Sequence, residues 1–207
     1  MNNYDKYIDD ACASFRALLE EQLARQNRME EGATKKDFSA MEKITIGAIG
    51  GDGIGPAITE QAVRILNKLL AEEIAEGKIE IRNIEGLTIG NRLALGKSVP
   101  DDVLAAIKEC DVLLKGPTTT PKGGTMESAN VTLRRELDLF ANVRPISVPE
   151  EGIDWTFFRE NTEGEYVLGS KGIEIPDKLA MDFKVTTKSG TERIARTAFD
   201  ICLGYYG

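Results

Sequence analysis

Apolar side chains recur every three or four residues over the first 31 positions, with charged residues between them. This spacing predicts one amphipathic helix. Its apolar stripe consists of Tyr4, Ile8, Cys12, Phe15, Leu19 and Leu23. A polar linker over 30–40 follows, and Met41 stands directly before the first predicted strand. We therefore interpret the helix either as an added packing or assembly element, or as the product of an early start codon.

From Lys43 onward, short apolar segments alternate with amphipathic ones. Strands are predicted at 44–49, 78–85 and 111–115, and helices at 57–75, 100–109 and 128–140. This order predicts an α/β fold, in which helices cover the faces of a parallel sheet.

The pattern becomes irregular after Phe140. Three further strands are predicted there, at 142–146, 155–159 and 181–187. A last helix is predicted to begin at Ser189, because Ser189-Gly-Thr-Glu192 has the order of a capping box.

The composition narrows the class of protein. The net charge of −8 argues against binding of nucleic acid, which requires a basic face. No apolar run approaches the ~20 residues of a membrane span. The first helix is too acidic for a mitochondrial transit peptide. We therefore expect a cytoplasmic protein that binds neither nucleic acid nor membrane.

The 207 residues include no histidine, and the three cysteines lie far apart. These features argue against a zinc site and against a disulfide scaffold. Acid–base chemistry must then use Lys, Tyr, Asp or Glu, and any metal ion is expected to have oxygen ligands.

A glycine-rich turn, Gly51-Asp-Gly-Ile-Gly-Pro56, follows the first strand and opens a helix. A dinucleotide-binding loop has the same context, but there the third glycine comes three residues after the second. Here it comes two residues after, so we interpret the segment as a tight structural turn.

The segment after the third strand carries the candidate chemistry. Lys115-Gly-Pro-Thr-Thr-Thr-Pro121 leaves the carboxyl end of a strand, where open α/β sheets bind ligands. Ser128 begins a helix, whose amino end suits a carboxylate. Asn130 and Arg134 then share one face of that helix.

Two further arginines, Arg144 and Arg159, lie at or near the ends of predicted strands. Together with Arg134 they suit a polycarboxylate, because each guanidinium can bind a carboxylate through two hydrogen bonds. From spacing alone, solvated or salt-bridged surface roles remain equally open.

Several long motifs resemble the isocitrate/isopropylmalate dehydrogenase family. They are the glycine turn, the Lys115–Pro121 segment, Ser128-Ala-Asn-Val-Thr-Leu-Arg134, the stretch ending in Val-Arg144-Pro, and Phe-Arg159-Glu-Asn-Thr-Glu-Gly-Glu-Tyr166. The resemblance covers about residues 43–207. It implies an incomplete isopropylmalate-dehydrogenase-like fold, with an N-terminal helix and linker (1–40), half of a large α/β domain (41–140), and part of a small domain and clasp region (141–207).

The resemblance also implies a role for each candidate. Ser128 and Asn130 would contact the carboxylate that distinguishes isocitrate, and the other carboxylates would be held by Arg134, Arg144 and Arg159. Tyr166 would be the acid that protonates the product after decarboxylation. The nicotinamide cofactor would lie near Thr119, Thr120 and Asn130.

The implied reaction is oxidative decarboxylation of isocitrate to 2-oxoglutarate with NAD or NADP and Mg²⁺ or Mn²⁺. The family's catalytic lysine, metal-binding aspartates and adenosine-binding loop have no counterpart in residues 43–207. We therefore expect a complementing C-terminal polypeptide, a homo-oligomer, and no activity from the isolated chain. The alternatives are a related dehydrogenase acting on isopropylmalate, homoisocitrate or tartrate, or a non-catalytic fragment or regulatory subunit.

Overall fold

The computed structural model describes residues 4–32, 36–123, 126–165, 167–168 and 171–204, with the backbone alone for 30–32. The chain divides into two compact units. One contains Met1–Lys35 and Asp138–Gly207, and the other contains Lys36–Leu137. The N-terminal helix α1 (Asp5–Gly32) thus belongs to the same unit as the last third of the chain.

The unit of residues 36–137 is built on a parallel sheet, which confirms the predicted α/β class. Its strands are β1 (Ile44–Ile49), β2 (Ile79–Asn83) and β3 (Val112–Lys115), in the order β2-β1-β3. Both neighbours run parallel to β1. The residues of these strands are mostly β-branched or large and aliphatic, which suits a parallel sheet whose faces are covered by helices.

Five helices surround this sheet in the described residues of the unit: α2 (Gly55–Leu69), α3 (Ala71–Ala75), α4 (Ile89–Leu95), α5 (Asp101–Lys108) and α6 (Ala129–Glu136). The single helix predicted at 57–75 is wrong, because Leu70 leaves helical geometry and divides it. Helix α4 was not predicted from the sequence, because it has only two turns. Thr88 caps this helix by accepting from the Asn91 amide, and left-handed Gly96 ends it.

The core of this unit joins α5 and α6 to the sheet. Its buried side chains are Ile49, Ile84, Leu87, Val99, Val103, Ile107, Ala129 and Leu133. Leu137 packs at its edge. The helix predicted to reach residue 140 ends at Glu136, since Asp138 adopts a left-handed φ of 47°. Ala129 and Leu133 therefore anchor α6 to this core, and the polar face of the helix lies outside it.

The other unit pairs short antiparallel strands with two helices. Strands β4 (Ala141–Val148) and β5 (Ile153–Glu160) form one pair, and β6 (Ile173–Ile175) and β7 (Leu179–Met181) form another. The strand predicted at 181–187 is wrong for most of its length. Its first residue ends β7, and beyond it Val185 makes only an isolated bridge to Gly164.

The last helix, α7 (Lys188–Cys202), begins one residue before its predicted start. Its cap is Thr187, whose hydroxyl accepts from the Gly190 amide at 3.0 Å, so the predicted capping box at Ser189 is wrong. The tertiary structure explains the shift. The buried carboxylate of Glu163 receives hydrogen bonds from both the amide and the hydroxyl of Thr187.

Helix α1 packs within this unit through polar and aromatic contacts. Arg25 donates to Glu163 at 3.2 Å and to Thr162 at 3.1 Å. The rings of Phe15 and Phe183 lie 5.2 Å apart between centroids. The helix therefore contacts the segment that follows β5.

Candidate functional site

Two loops meet at the carboxyl ends of β1 and β3. The glycine turn follows β1, and residues 116–123 follow β3. In the strand order β2-β1-β3, the chain passes from β1 to β2 on one side and then crosses to β3 on the other side of β1. Such a switch point is where open α/β sheets place their ligands.

The close contact between these loops explains the glycine turn. The Asp52 amide donates to the Pro117 carbonyl at 2.7 Å. Gly51 has φ of 72°, and a Cβ there would lie 2.1 Å from the Pro117 oxygen. Only glycine permits this approach, which agrees with the interpretation as a tight structural turn.

Lys115 ends β3 and lies half-buried beneath the loop. Its ammonium donates to the Gly116 carbonyl at 2.7 Å and to the Thr118 hydroxyl at 3.4 Å. Burial lowers the pKa of Lys115 below its ordinary value, and the positive charges of Arg92 and Arg134 lower it further, whereas Asp52 acts in the opposite direction. The sequence analysis gave Lys115 no role.

The amino end of α6 lies beside this lysine. The Thr118 hydroxyl donates to Asn130 Oδ1 at 3.4 Å, so a polar chain links Lys115 to Asn130. Ser128 is the N-cap residue of α6, but its hydroxyl makes no capping hydrogen bond. Its oxygen and the first amides of α6 are therefore available to an anion.

Arg134 follows Asn130 by one turn of α6 and is half-buried. Among the described residues, its guanidinium forms no ion pair with a carboxylate and donates no hydrogen bond. Its neighbour Arg135 differs, since it makes two bonds of 2.9 Å to the Glu127 carboxylate. The structure thus brings the two cations Lys115 and Arg134 together with the neutral amide of Asn130, a group that we call the cationic cluster.

Thr119 and Thr120 have exposed side chains on the same loop. The backbone of Thr119 is held on both sides. Its amide donates to Asp52 at 2.8 Å, and its carbonyl accepts from Arg92 at 2.8 Å. Asp52 and Arg92 were not predicted from the sequence as site residues. The only signal was the acidic residue inside the glycine turn.

The remaining described candidates belong to the other unit. Arg144 lies on β4 and Arg159 on β5, where the register pairs Arg159 with Asn142. Because directly paired residues of antiparallel strands point to the same face, Arg144 and Arg159 share one face of the β4–β5 pair. Both are exposed, and Arg144 donates to Asn142 at 2.9 Å. Tyr166 lies outside the described residues.

The described part of the chain contains no group of three or more His, Cys, Asp or Glu side chains arranged to hold a metal ion. No helix in the described ranges has the length and apolar character needed to cross a bilayer.

Known proteins share both the sequence and the fold. The family model for isocitrate/isopropylmalate dehydrogenase matches residues 45–204. Isocitrate dehydrogenase (NADP) of Staphylococcus epidermidis is 35% identical over 202 residues, covering 82% of this chain and 47% of that protein. Mitochondrial isocitrate dehydrogenase (NAD) regulatory subunit 3 of Arabidopsis thaliana is 37% identical over 164 residues, covering 75% of this chain and 40% of that protein.

Among solved structures, an apo beta-decarboxylating dehydrogenase of Thermococcus kodakarensis matches with a TM-score of 0.57 and 32% identity. That match covers 75% of this chain and 44% of the other. This chain spans about half the length of the curated relatives it matches. The family match extends over most of the sequence. The chain therefore belongs to the isocitrate/isopropylmalate dehydrogenase family.

Proposed function

We propose that this chain is the N-terminal, substrate-binding portion of an NAD(P)-dependent isocitrate dehydrogenase. The supporting observation is the cationic cluster of Lys115, Asn130 and Arg134 at the switch point of the sheet. It occurs in a chain whose relatives carry the name isocitrate dehydrogenase. The complete enzyme means this chain together with the part of the family's length that it does not cover, in the same or a second polypeptide.

Charge matching supports a tricarboxylate as the substrate. Isocitrate carries about three negative charges at neutral pH, since its carboxyl groups titrate near the usual carboxylate range. In the proposal, Arg134, Arg144 and Arg159 hold its carboxylates. A dicarboxylate would leave one of these three guanidinium groups without a matching negative charge.

Ser128 and Asn130 determine specificity in this proposal. The hydroxyl of Ser128, which makes no capping bond, and the amino end of α6 bind the carboxylate that isopropylmalate replaces by an apolar group. Discrimination is strong at such a polar site, because a substrate without the carboxylate leaves the donors unsatisfied.

The chemical roles are divided between this chain and the rest of the enzyme. When bound, NAD(P) would supply the acceptor for the hydride that leaves the hydroxyl-bearing carbon of the substrate. Thr119, Thr120 and Asn130 orient the cofactor, and Tyr166 supplies a proton after CO₂ leaves. Following the family resemblance, the ligands of Mg²⁺ or Mn²⁺ are expected on the remainder of the enzyme.

A second candidate is a regulatory subunit that binds isocitrate without turnover. The supporting observation is the 37% identity to a protein named as a regulatory subunit. Both candidate functions predict that isocitrate binds at Ser128, and they differ in whether Tyr166 takes part in catalysis. Replacing Tyr166 by Phe should lower kcat if this chain carries the active site, and should leave kcat unchanged if it is regulatory.

Substitution of Ser128 tests the substrate assignment. The complete enzyme is assayed with isocitrate and with isopropylmalate, as unmodified protein, Ser128→Ala and Ser128→Asp. We expect Ser128→Asp to reduce kcat/KM for isocitrate far more than Ser128→Ala, since it places a negative charge against a carboxylate. Near-normal use of isocitrate by Ser128→Asp would contradict the assignment.

A further inference from the structure

We infer that Asp52 and Arg92 are positioning residues that fix the backbone of Thr119 and so orient the hydroxyls of the loop toward the nicotinamide cofactor. The inference rests on the proposed function, in which Thr119 and Thr120 contact that cofactor. It gives the glycine turn a second role beyond its tight geometry.

The Asp52 carboxylate joins three segments. Its Oδ1 accepts from the Ile89 amide, the first of α4, at 2.7 Å. Its Oδ2 accepts from the Thr119 amide at 2.8 Å. Hydrogen bonds from amides to an ionised carboxylate are among the stronger ones in proteins. One side chain therefore ties the turn after β1 to α4 and to the loop after β3.

Arg92 holds the same residue from its other side. Its Nη1 donates to the Thr119 carbonyl at 2.8 Å, and its Nε donates to the Ser98 carbonyl at 2.7 Å. The side chain is fully buried, and its Nη1 lies 4.0 Å from Asp52. A planar guanidinium can serve two carbonyls in fixed directions, whereas an ammonium cannot reproduce that fork.

These contacts bind both backbone groups of Thr119 and leave its side chain exposed. Rigid backbone with a free hydroxyl is the arrangement that a ligand-orienting residue requires. A buried ion pair also contributes little net stability once its desolvation is counted. The pair is therefore better explained by the geometry it imposes on the loop than by its stabilisation of the fold.

A matched control is available at the other end of β3. The Asp111 carboxylate accepts from the Thr45 amide at 2.9 Å and pairs with Lys36 at 2.6 Å. It thus also joins backbone and cation, but away from the loop. Asp111→Asn reports what the loss of such a carboxylate does to the fold alone.

The experiment compares the complete enzyme, unmodified, with Asp52→Asn, Arg92→Lys and Asp111→Asn. Hydrogen exchange is followed in the segment 117–120, and steady-state kinetics give KM for NAD(P)⁺ and for isocitrate. We expect Asp52→Asn and Arg92→Lys to speed exchange of the Thr119 amide and to raise the cofactor KM by roughly 10- to 100-fold, the scale of a small misplacement. The isocitrate KM should change much less, and Asp111→Asn should change only the melting temperature.

The outcomes separate the inference from the proposed function. If the unmodified complete enzyme does not use isocitrate, the proposed function fails. If it does, but Asp52→Asn and Arg92→Lys lower only the melting temperature or the active fraction while cofactor KM stays normal, the positioning role is refuted. Unchanged exchange of the Thr119 amide in both variants refutes it as well, whatever the kinetics.

Discussion

Replacing Arg134 by Met should weaken substrate binding without weakening the fold. Arg134 is half-buried on α6, and the described residues provide it with no carboxylate. Its charge lowers the pKa of Lys115, so the two cations repel each other in the unliganded protein. Under the proposed function, a bound carboxylate would supply the negative charge that offsets these two cations.

Arg134→Met should change the free energy of unfolding much less than the free energy of isocitrate binding, and the two changes can have opposite signs. Met keeps most of the aliphatic length of Arg134 and removes the repulsion with Lys115. The free energy of unfolding should therefore change by no more than about 0.5 kcal/mol, or rise. Binding of isocitrate should lose about 2–5 kcal/mol, the cost of removing one partner of a buried charged pair, which is roughly 30- to 4,000-fold in affinity.

Arg135→Met provides the matched control on the same helix. Arg135 binds the Glu127 carboxylate through two bonds of 2.9 Å, and both side chains are about one-third exposed. Its removal should cost about 0.2–1 kcal/mol of stability, as for exposed ion pairs, and should leave isocitrate binding unchanged.

Calorimetric titration of the complete enzyme with isocitrate and thermal unfolding without it measure the two quantities. The assignment of Arg134 to substrate binding is refuted if Arg134→Met binds isocitrate as well as Arg135→Met does. It is also refuted if Arg134→Met destabilises the unliganded protein by several kcal/mol, since that would mean the charge has a structural partner.

Three further predictions concern packing, pH and activity. Gly190→Ala should destabilise the protein by about 1–3 kcal/mol, because the new Cβ would lie 2.3 Å from the buried Glu163 carboxylate. Gly90→Ala, with open space around the new Cβ, should stabilise it by about 0.4–1 kcal/mol. Denaturant unfolding measures both changes. Folding lowers the pKa of Lys115, so the unfolded chain binds this proton more tightly than the folded protein does. The free energy of unfolding should therefore rise with pH from that lowered pKa up to about 10.5. Lys115→Met should remove this rise in unfolding curves measured as a function of pH. Under the proposed function, the isolated chain should form no NADH or NADPH from isocitrate and Mn²⁺, because the family's lysine and metal ligands are proposed to lie in the part of the enzyme that this chain does not cover. Turnover by the pure chain would contradict this.

The sequence predicted those parts of the site that depend on neighbouring residues. The loop after β3, the N-cap position of Ser128 and the shared face of Asn130 and Arg134 all follow from local periodicity and capping. The substrate and cofactor roles came from the family motifs, and they remain predictions.

The environment of Lys115 and the hydrogen bonds that hold the Thr119 backbone could not be predicted from the sequence. Arg92 lies 27 residues before Thr119, and Asp52 lies 67 residues before it. An arginine in an apolar stretch looks like a surface residue until the fold buries it. Long-range pairing of this kind leaves no periodic signal in the chain.

The sequence by itself determined the α/β class, the parallel sheet, the N-terminal helix and the family. These depend on apolar periodicity and on motifs that are contiguous in the chain. The tertiary structure alone decided where helices end, which residue caps α7, and which side chains fix the loop. Glu163 shifts the cap to Thr187, and Asp52 with Arg92 holds Thr119. Such choices depend on which buried polar groups meet after folding, because each must find a partner once water is excluded.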